Sequence, residues 1–181
     1  MYCVLHSVLA APAVKSRLNF GVRNGMDPYR IAYNIFAFVS LAPILLYQFS
    51  IEPEFLFQAS MTTRIAGLVI GTTGLVIMTI CVSKYFLQLS GLRVESKQPD
   101  EQLIVSGVHK WVRHPLYFGT FVFIWGGWIA WPMWSVFVCN VVITIYTLIG
   151  IRFEEQKLVG QFGEQYRNYQ KRVRKIIPFI Y

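Results

Sequence analysis

Charged residues are scarce in this sequence, and acidic residues are the scarcest. Of 181 residues, 14% are charged and 55% are hydrophobic, and only nine are Asp or Glu. Soluble domains contain about 25% charged residues on average, so this deficit indicates an integral membrane protein. The formal net charge of +8 does not indicate a nucleic-acid-binding protein, because membrane proteins collect Lys and Arg on their cytoplasmic side.

Several catalytic and metal-binding patterns are also missing. Cys3, Cys81 and Cys139 lie in apolar runs and form no C-x-x-C pair, so we expect no metal site, disulfide framework or thiol catalysis. The sequence contains no H-E-x-x-H, P-loop or G-x-S-x-G motif, which argues against zincin, P-loop and serine hydrolase chemistry. No G-x-G-x-x-G follows a predicted strand, which excludes a Rossmann cofactor domain on pattern.

The sequence contains several long apolar segments. A membrane-spanning helix needs about 20 mostly apolar residues, and Pro132 divides the last apolar block into two helices joined by a tight turn at 131–134. The predicted helices cover residues 1–14 (short), 29–49, 65–89, 116–131 and 134–151. The sequence therefore predicts an all-α fold: a single membrane domain over 1–181, built as a bundle of about five transmembrane helices.

The first of these stretches has two interpretations. Residues 4–14 end in Ala11-Pro12-Ala13, a pattern that a cleavable secretory signal also shows. No basic region precedes the stretch, and basic residues follow it instead. We therefore favour a first, short membrane helix over a signal peptide.

Basic residues alternate between the predicted loops. The loops after the first and third helices and the segment after the fifth are basic, whereas the other loops hold Glu52 and Glu54, with only Arg64 nearby. The basic residues are Lys15, Arg17, Arg23, Arg93, Lys97, Lys110, Arg113, Arg152, Lys157, Arg167, Lys171, Arg172, Arg174 and Lys175. By the positive-inside rule, the N-terminus is predicted to lie outside and the C-terminus in the cytoplasm.

A further helix is predicted to leave the membrane after residue 151. Phe162, Tyr166, Tyr169 and Val173 recur at spacings of four, three and four, which places them in one apolar stripe of an α-helix. Such a helix either lies on the membrane surface or folds back to cover a pocket, and the sequence leaves both open. The predicted fold therefore ends in a C-terminal cytoplasmic or interfacial helix.

Glycines form a pattern in the third predicted helix. Gly67 and Gly71 make a G-x-x-x-G motif, and Gly74 follows. Small residues at this spacing allow two membrane helices to approach closely. The partner is either another helix of the same chain or a second copy, and we favour packing within the chain.

Two polar segments flank the predicted hairpin of the fourth and fifth helices. Residues 107–119 read G-V-H-K-W-V-R-H-P-L-Y-F-G, and residues 152–179 are rich in Lys, Arg, Glu and Tyr. Both ends of one hairpin reach the same side of a bilayer, so these segments are predicted to meet there. Ionisable residues at such positions are costly to bury and often mark a site.

Arg113, His114 and Pro115 begin the fourth predicted helix. Pro115 suits the first helical position, where an N–H would have no partner, and the free N–H groups of that turn attract an anion. Arg113 adds a guanidinium that binds carboxylates or phosphates through two hydrogen bonds. Two interpretations stay open: a ligand site, or a plain helix start from which Arg113 reaches lipid phosphate.

The neighbouring residues also have more than one interpretation. His114 donates to a ligand or caps the helix, Tyr117 stacks on a ligand or anchors at the interface, and Gly119 admits a ligand or a neighbouring helix. Glu154 and Glu155 lie near a helix C-terminus, where the dipole disfavours carboxylates. They therefore need basic neighbours or positive ligand groups as partners, unless they form a solvated charged end.

Five motifs follow one another over residues 103–180: R-H-P-x-Y, a helical hairpin, E-E-x-x-L, F-G-x-x-Y-x-x-Y-x-x-x-V and a late P-F. In this order they resemble the membrane isoprenylcysteine carboxyl methyltransferase family. The first half contains H-S-V-L-A at 6–10, Y-R-I-A-Y-N at 29–34 and G-L-R at 91–93. These are similar to bacterial relatives, which include NnrU-like proteins and methanethiol S-methyltransferases, and they point to a bacterial inner membrane.

This resemblance implies an S-adenosylmethionine-dependent methyl transfer at the cytoplasmic membrane face. The acceptor would be a small thiol or a lipophilic, isoprenylcysteine-like molecule, membrane lipid would be a partner, and nucleic acid and metal would not. The cofactor would bind within region 103–180. Its implied ligands are His109, Arg113, His114, Pro115, Tyr117, Gly119, Glu154, Glu155, Tyr166 and Tyr169, with Arg113 and Glu155 in catalytic roles.

One departure from the family pattern concerns the loop before the fourth predicted helix. Val108 and His109 stand where relatives often have Pro-Tyr. An aromatic wall of the cofactor site is therefore replaced, and His109 would partly serve in its place.

Two other functions stay open on the sequence. Membrane sterol reductases share a similar C-terminal scaffold and bind NADPH, although they contain more helices than this chain offers. A non-catalytic, NnrU-like accessory protein would keep the fold without the reaction.

Overall fold

The computed structural model describes residues 2–18, 26–90, 103 and 105–177, and every regular element in these ranges is a helix. The helices are α1 (Tyr2–Ala10), α2 (Pro12–Arg17), α3 (Pro28–Ser50), α4 (Met61–Ser90), α5 (Pro115–Ala130), α6 (Trp134–Phe162) and α7 (Glu164–Arg172), with a short 3₁₀ turn at Gly107–Lys110. The predicted all-α fold is confirmed for this part of the chain. The basic residues Arg23, Arg93 and Lys97, the G-L-R motif at 91–93 and the tail beyond residue 177 lie outside the described residues.

Three helices of the described chain are long and apolar enough to cross a membrane. They are Pro28–Ser50, Met61–Ser83 within α4, and α6, which confirms three of the predicted spans by length and composition. In α6 the apolar part comes first, because charged residues follow from Arg152 onward. The apolar helix α5 has 16 residues, or about 24 Å of length, and is shorter than a typical bilayer core of about 30 Å.

The prediction of one helix over residues 1–14 is wrong. The chain forms α1, of nine residues, and α2, of six, with Ala11 between them in an extended conformation at φ −65° and ψ 137°. Pro12 explains the break, since a residue that precedes proline is pushed out of the helical region. Pro12 then begins α2, where its missing N–H costs nothing.

The chain divides into two compact units, of which the first comprises Met1–Glu52 and Lys84–Glu101. Hydrogen bonds from α3 connect its helices. The Tyr29 hydroxyl donates to the Leu9 carbonyl at 2.6 Å, and the Tyr33 hydroxyl lies 2.6 Å from Nε2 of His6. Asn34 donates to the carbonyl of Ser90 at 3.2 Å. Polar side chains of the Y-R-I-A-Y-N motif thus connect the helices of this unit.

The second unit comprises Pro53–Ser83 and Gln102–Tyr181, and glycines bring two of its helices together. A Cβ atom added to Gly67 would lie 2.7 Å from the Gly126 carbonyl oxygen, and one added to Gly74 would lie 2.7 Å from that of Gly119. Real Cβ atoms do not approach backbone this closely, so α4 and α5 pack backbone to backbone. The interpretation of the glycine pattern as packing within the chain is confirmed.

The hairpin of α5 and α6 turns at Trp131–Met133, as Pro132 predicted. The segment before α4 pairs with this turn: Leu56 donates to the Pro132 carbonyl at 2.9 Å, and Trp134 donates to that of Glu54 at 2.8 Å. Within the hairpin, the buried Asn140 of α6 donates to the Ile124 carbonyl of α5 at 2.8 Å. This hydrogen bond fixes the register of α5 against α6 within the hairpin.

The helix after the hairpin folds back onto the protein. Gly163 ends α6 at φ +53°, a conformation that residues with a side chain rarely adopt, and α7 begins at the next residue. Tyr166 and Tyr169 of α7 are buried, and Phe162 and Val173 are half-buried. The predicted apolar stripe thus faces the protein interior.

Candidate functional site

The two polar segments that flank the hairpin meet, as the sequence predicted. Backbone N–H groups of Arg113 and His114 donate to the carbonyls of Arg174 and Lys175 at 2.8 and 3.1 Å. Val112 and Arg174 form a parallel bridge at the same place. The residues that lead into α5 therefore run beside the segment that follows α7, which places the first turn of α5 next to the polar end of α6.

We call the place where the start of α5, the polar end of α6 and the segment after α7 meet the junction. Glu155 lies at its centre. Nε and Nη2 of Arg113 each lie 2.7 Å from its Oε1, Nε2 of His114 lies 3.3 Å from the same oxygen, and Nζ of Lys175 lies 3.3 Å from Oε2. The side chains of Arg113 and Glu155 are 8% and 10% exposed. A carboxylate taken out of water in this way needs such partners to remain charged.

Arg113 also holds the last turn of α7. Its Nη1 donates to the carbonyls of Gln170 and Val173 at 3.2 and 2.5 Å. With Nε and Nη2 on Glu155, most of the N–H groups of this guanidinium are taken by the protein itself. The interpretation of Arg113 as a residue that reaches lipid phosphate is therefore wrong, because its charge is directed inward.

Tyr166 covers the buried carboxylate. Its side chain is almost fully buried, and its hydroxyl lies 3.5 Å from Oε1 of Glu155. Burial, and then the negative charge of Glu155, raise the pKa of the Tyr166 hydroxyl well above its usual range, although Arg113 opposes this. Tyr166 is therefore a neutral hydrogen-bond donor at any physiological pH.

Tyr169 connects α7 to the loop before α5. Its hydroxyl donates to the carbonyl of His109 at 2.7 Å, and its ring lies edge-on to Tyr166 with centroids 5.8 Å apart. The His109 ring is turned towards its own loop, with Nδ1 3.3 Å from the Arg113 carbonyl oxygen. The loop, α7 and the Glu155 cluster are thus one connected structure.

A second carboxylate lies at the open edge of the junction. The Tyr117 hydroxyl donates to Oε2 of Glu154 at 3.0 Å, and the Glu154 side chain is 44% exposed. His114 lies between the two acidic residues, since its Nδ1 is 3.9 Å from Glu154 and its Nε2 faces Glu155. Glu154 and Tyr117 are therefore the predicted site residues that retain capacity for hydroxyl or positive groups of a ligand.

The structure also decides between alternatives for the first turn of α5. Pro115 is the first helical residue and is buried. The His114 side chain makes no capping hydrogen bond, so that interpretation is wrong. A Cβ atom at Gly119 would lie 3.0 Å from both Ile77 and Met78 of α4, so this glycine admits a neighbouring helix.

A cleft of about 500 Å³ lies between α7 and the loop before α5. Of the predicted site residues, Tyr169 alone lines it. The other polar residues in its described lining are Lys110, Gln165, Asn168 and Arg172, which were not among the predicted site residues. For the residues on α7, the available signal was their spacing, since residues 165, 168, 169 and 172 lie on one helical face. No group of three or more metal-binding side chains occurs among the described residues.

These features define a class: a mostly helical integral membrane protein with a buried ionic cluster where a helical hairpin meets the helix that follows it. The model of the phospholipid methyltransferase family matches residues 62–165, which is more than half of the 181 residues. The chain belongs to this family. The matched region contains α5, α6 and the two acidic residues of the junction.

Curated relatives carry two kinds of name. The chain is 28% identical over 187 residues to methanethiol S-methyltransferase 1 of Bradyrhizobium diazoefficiens, which covers 99% of the chain and 64% of the relative. It is 44% identical over 75 residues to methanethiol S-methyltransferase of Pseudomonas deceptionensis, covering 40% and 27%. It is 33% identical over 127 residues to protein-S-isoprenylcysteine O-methyltransferase of Mus musculus, covering 61% and 42%. Each match spans less than two thirds of the relative's length.

Proposed function

We propose that this chain is an S-adenosylmethionine-dependent methyltransferase of the membrane. The observation that carries the proposal is the meeting of Arg113 and His114 with Glu154 and Glu155 in a chain whose family and relatives are named as methyltransferases. Neither NADPH reduction nor an accessory role has a comparable observation in its favour.

The residues of the junction fit such a cofactor in two ways. S-adenosylmethionine carries ribose hydroxyls, an ammonium and a positive sulfur, all of which a carboxylate attracts. Glu154, half in solvent and next to the Tyr117 hydroxyl, is the group we assign to hold them. Arg113 and Glu155 are positioning residues. Their contacts hold His114, α7 and the start of α5 in place.

The cofactor, when bound, supplies a methyl group already activated by its positive sulfur. The task of the protein is to align an acceptor with that methyl group and to exclude water. Tyr166, held neutral beside Glu155, contributes an uncharged cover over the junction. Region 103–180 is then the cofactor-binding part of a single membrane domain.

A small thiol is the acceptor that we favour. The relative that covers 99% of the chain is named a methanethiol S-methyltransferase. The second candidate is a lipophilic acceptor of the isoprenylcysteine type, in line with the other group of relatives. An apolar acceptor of either kind can enter sideways from the bilayer.

We also propose that the spanning helices lie in a bacterial inner membrane, with the junction on the cytoplasmic side. Basic residues concentrate at this end, among them Lys157, Lys171 and Arg174. A green fluorescent protein fused to the C-terminus is expected to fluoresce, whereas alkaline phosphatase fused there is expected to be inactive. The reverse pattern in bacterial cells would contradict this orientation.

Calorimetry on the detergent-purified chain tests the proposed reaction class. S-adenosylmethionine and S-adenosylhomocysteine are expected to bind, and NADPH is not. Transfer of a radiolabelled methyl group to methanethiol and to a prenylated cysteine analogue then distinguishes the acceptors. Tight binding of NADPH without binding of S-adenosylmethionine would contradict the proposed methyltransferase function.

The open edge of the junction gives a sharper test. Glu154→Gln and Tyr117→Phe are each expected to lower affinity for S-adenosylhomocysteine about tenfold or more, because hydrogen bonds to charged groups contribute about 1.5–3 kcal/mol. The matched control is Glu164→Gln, which removes an exposed carboxylate of α7 that is paired only with Arg167 in the described structure. Calorimetric titration of all three purified variants gives the comparison. Equal losses in all three would show that general surface charge, and not the site, is responsible.

A further inference from the structure

The cleft beside α7 is a preformed structure. The hydroxyl of Tyr169 donates to the His109 carbonyl at 2.7 Å, and the backbone of Arg113 bonds to that of Arg174 at 2.8 Å. These contacts connect its two walls, the face of α7 and the loop before α5. The volume of about 500 Å³ lies within the range of about 300–1,000 Å³ that small-molecule sites occupy.

The charge on the described lining of this cleft is positive. Lys110 and Arg172 line it from opposite walls, and none of the described lining residues is acidic. Neither side chain forms an ion pair or a hydrogen bond with any residue that the structure describes. By contrast, Lys175 is paired with Glu155, and Arg167 with Glu164. An anion is therefore the ligand that the cleft attracts.

The remaining lining shows what else the anion must carry. Leu103, Val105 and Val173 form an apolar part of the cleft. Trp111, next to Lys110, is 64% exposed, and tryptophan prefers the boundary between lipid and water. The cleft also follows directly after a helix that is apolar enough to cross a membrane. A ligand with an anionic head and an apolar body matches both halves of the lining.

We propose that this cleft binds the phosphate-bearing headgroup of an anionic membrane lipid. Lys110 and Arg172 hold the phosphate, the amides of Gln165 and Asn168 are available for further headgroup oxygens, and the apolar residues contact the first carbons of the lipid body. Free phosphate shares the head chemistry but not the apolar part. Of the residues to which the proposed methyl transfer assigns a role, Glu154, Tyr117 and Glu155 do not line this cleft.

Calorimetry on the detergent-purified chain tests this proposal with three probes: dihexanoyl phosphatidylglycerol, dihexanoyl phosphatidylcholine and inorganic phosphate. The anionic lipid is expected to bind at least tenfold more tightly than the other two. The double variant Lys110→Gln/Arg172→Gln is expected to weaken it about 25-fold, since each basic residue near a lipid surface contributes roughly a factor of five. Both residues are exposed, so the fold should be retained.

The matched control is Lys171→Gln/Arg174→Gln, which removes the same charge from exposed residues that do not line the cleft. Its affinity for the anionic lipid should stay within about threefold of the unmodified chain. Equal losses in the two double variants would overturn the proposal in favour of diffuse surface attraction. Inorganic phosphate that binds as tightly as the lipid would overturn the lipid as occupant. Competition between the lipid and S-adenosylmethionine would assign the cleft to the methyl donor instead.

Discussion

Glu155→Gln is expected to lower the stability of the protein far more than Glu154→Gln. The neutral amide leaves Arg113 buried without its counter-charge, and removing one partner of a buried ion pair costs about 3–5 kcal/mol. His114 and Tyr166 face Oε1 of Glu155 and Lys175 faces Oε2, so the single amide oxygen of glutamine cannot accept from both sides. Because Arg113 also holds the last turn of α7, this helix should detach before the hairpin unfolds.

Thermal unfolding in detergent and hydrogen exchange over residues 164–177 measure this effect. Glu155→Gln should lower the midpoint and raise exchange in α7. Glu154→Gln is the matched control, since its side chain is 44% exposed where that of Glu155 is 10% exposed. It should reduce ligand affinity and leave the midpoint unchanged. Equal midpoints for the two variants would mean that the cluster does not hold α7.

Gly126→Ala is expected to separate α4 from α5, whereas Gly127→Ala should be tolerated. A Cβ atom at Gly126 would lie 2.7 Å from Cα of Gly71 and 2.9 Å from the Gly67 carbonyl oxygen, while one at Gly127 meets nothing within 4 Å. Overpacking lowers the free energy of unfolding by about 1–3 kcal/mol. The upper part of that range applies here because backbone atoms, unlike side chains, cannot change rotamer to relieve the clash. Alanine at position 127 should be neutral or slightly favourable, since it is the better helix former.

The measurement is the thermal midpoint of the two variants in the same detergent. Gly150→Ala provides a second control on α6, since a Cβ atom there also meets nothing within 4 Å. Only Gly126→Ala should lower the midpoint. A Gly126→Ala protein as stable as Gly127→Ala would show that the helices can move apart without cost.

The hairpin could be predicted from sequence because its signals are local. Pro132 breaks an otherwise continuous apolar block, and the basic and acidic segments on either side mark where that block ends. The glycine pattern predicted a close helix approach, but the partner helix depends on tertiary packing. The break at Gly163 was missed, since the stripe from Phe162 to Val173 continues through it with an unbroken helical period.

The sequence could not show that the two adjacent acidic residues differ in burial. Glu155 lies four positions after Ile151, which is fully buried, so it shares that inward face of α6, while Glu154 is turned about 100° away. This distinction needs the orientation of α6 within the bundle. Lys110 and Arg172 were missed for a related reason, because isolated basic residues look like a solvated surface until α7 is placed beside the loop.

The contacts of Arg113 have a consequence for biosynthesis. Its guanidinium binds the carbonyl of Val173, sixty positions later in the chain, and a chain is made and folded from its N-terminus onward. The hairpin of α5 and α6 is therefore synthesised before the partner of Arg113, and the guanidinium stays hydrated until α7 and Val173 have been made. A product cut short before α7 would integrate normally and yet carry no functional junction, so insertion and maturation are distinct steps in producing this protein.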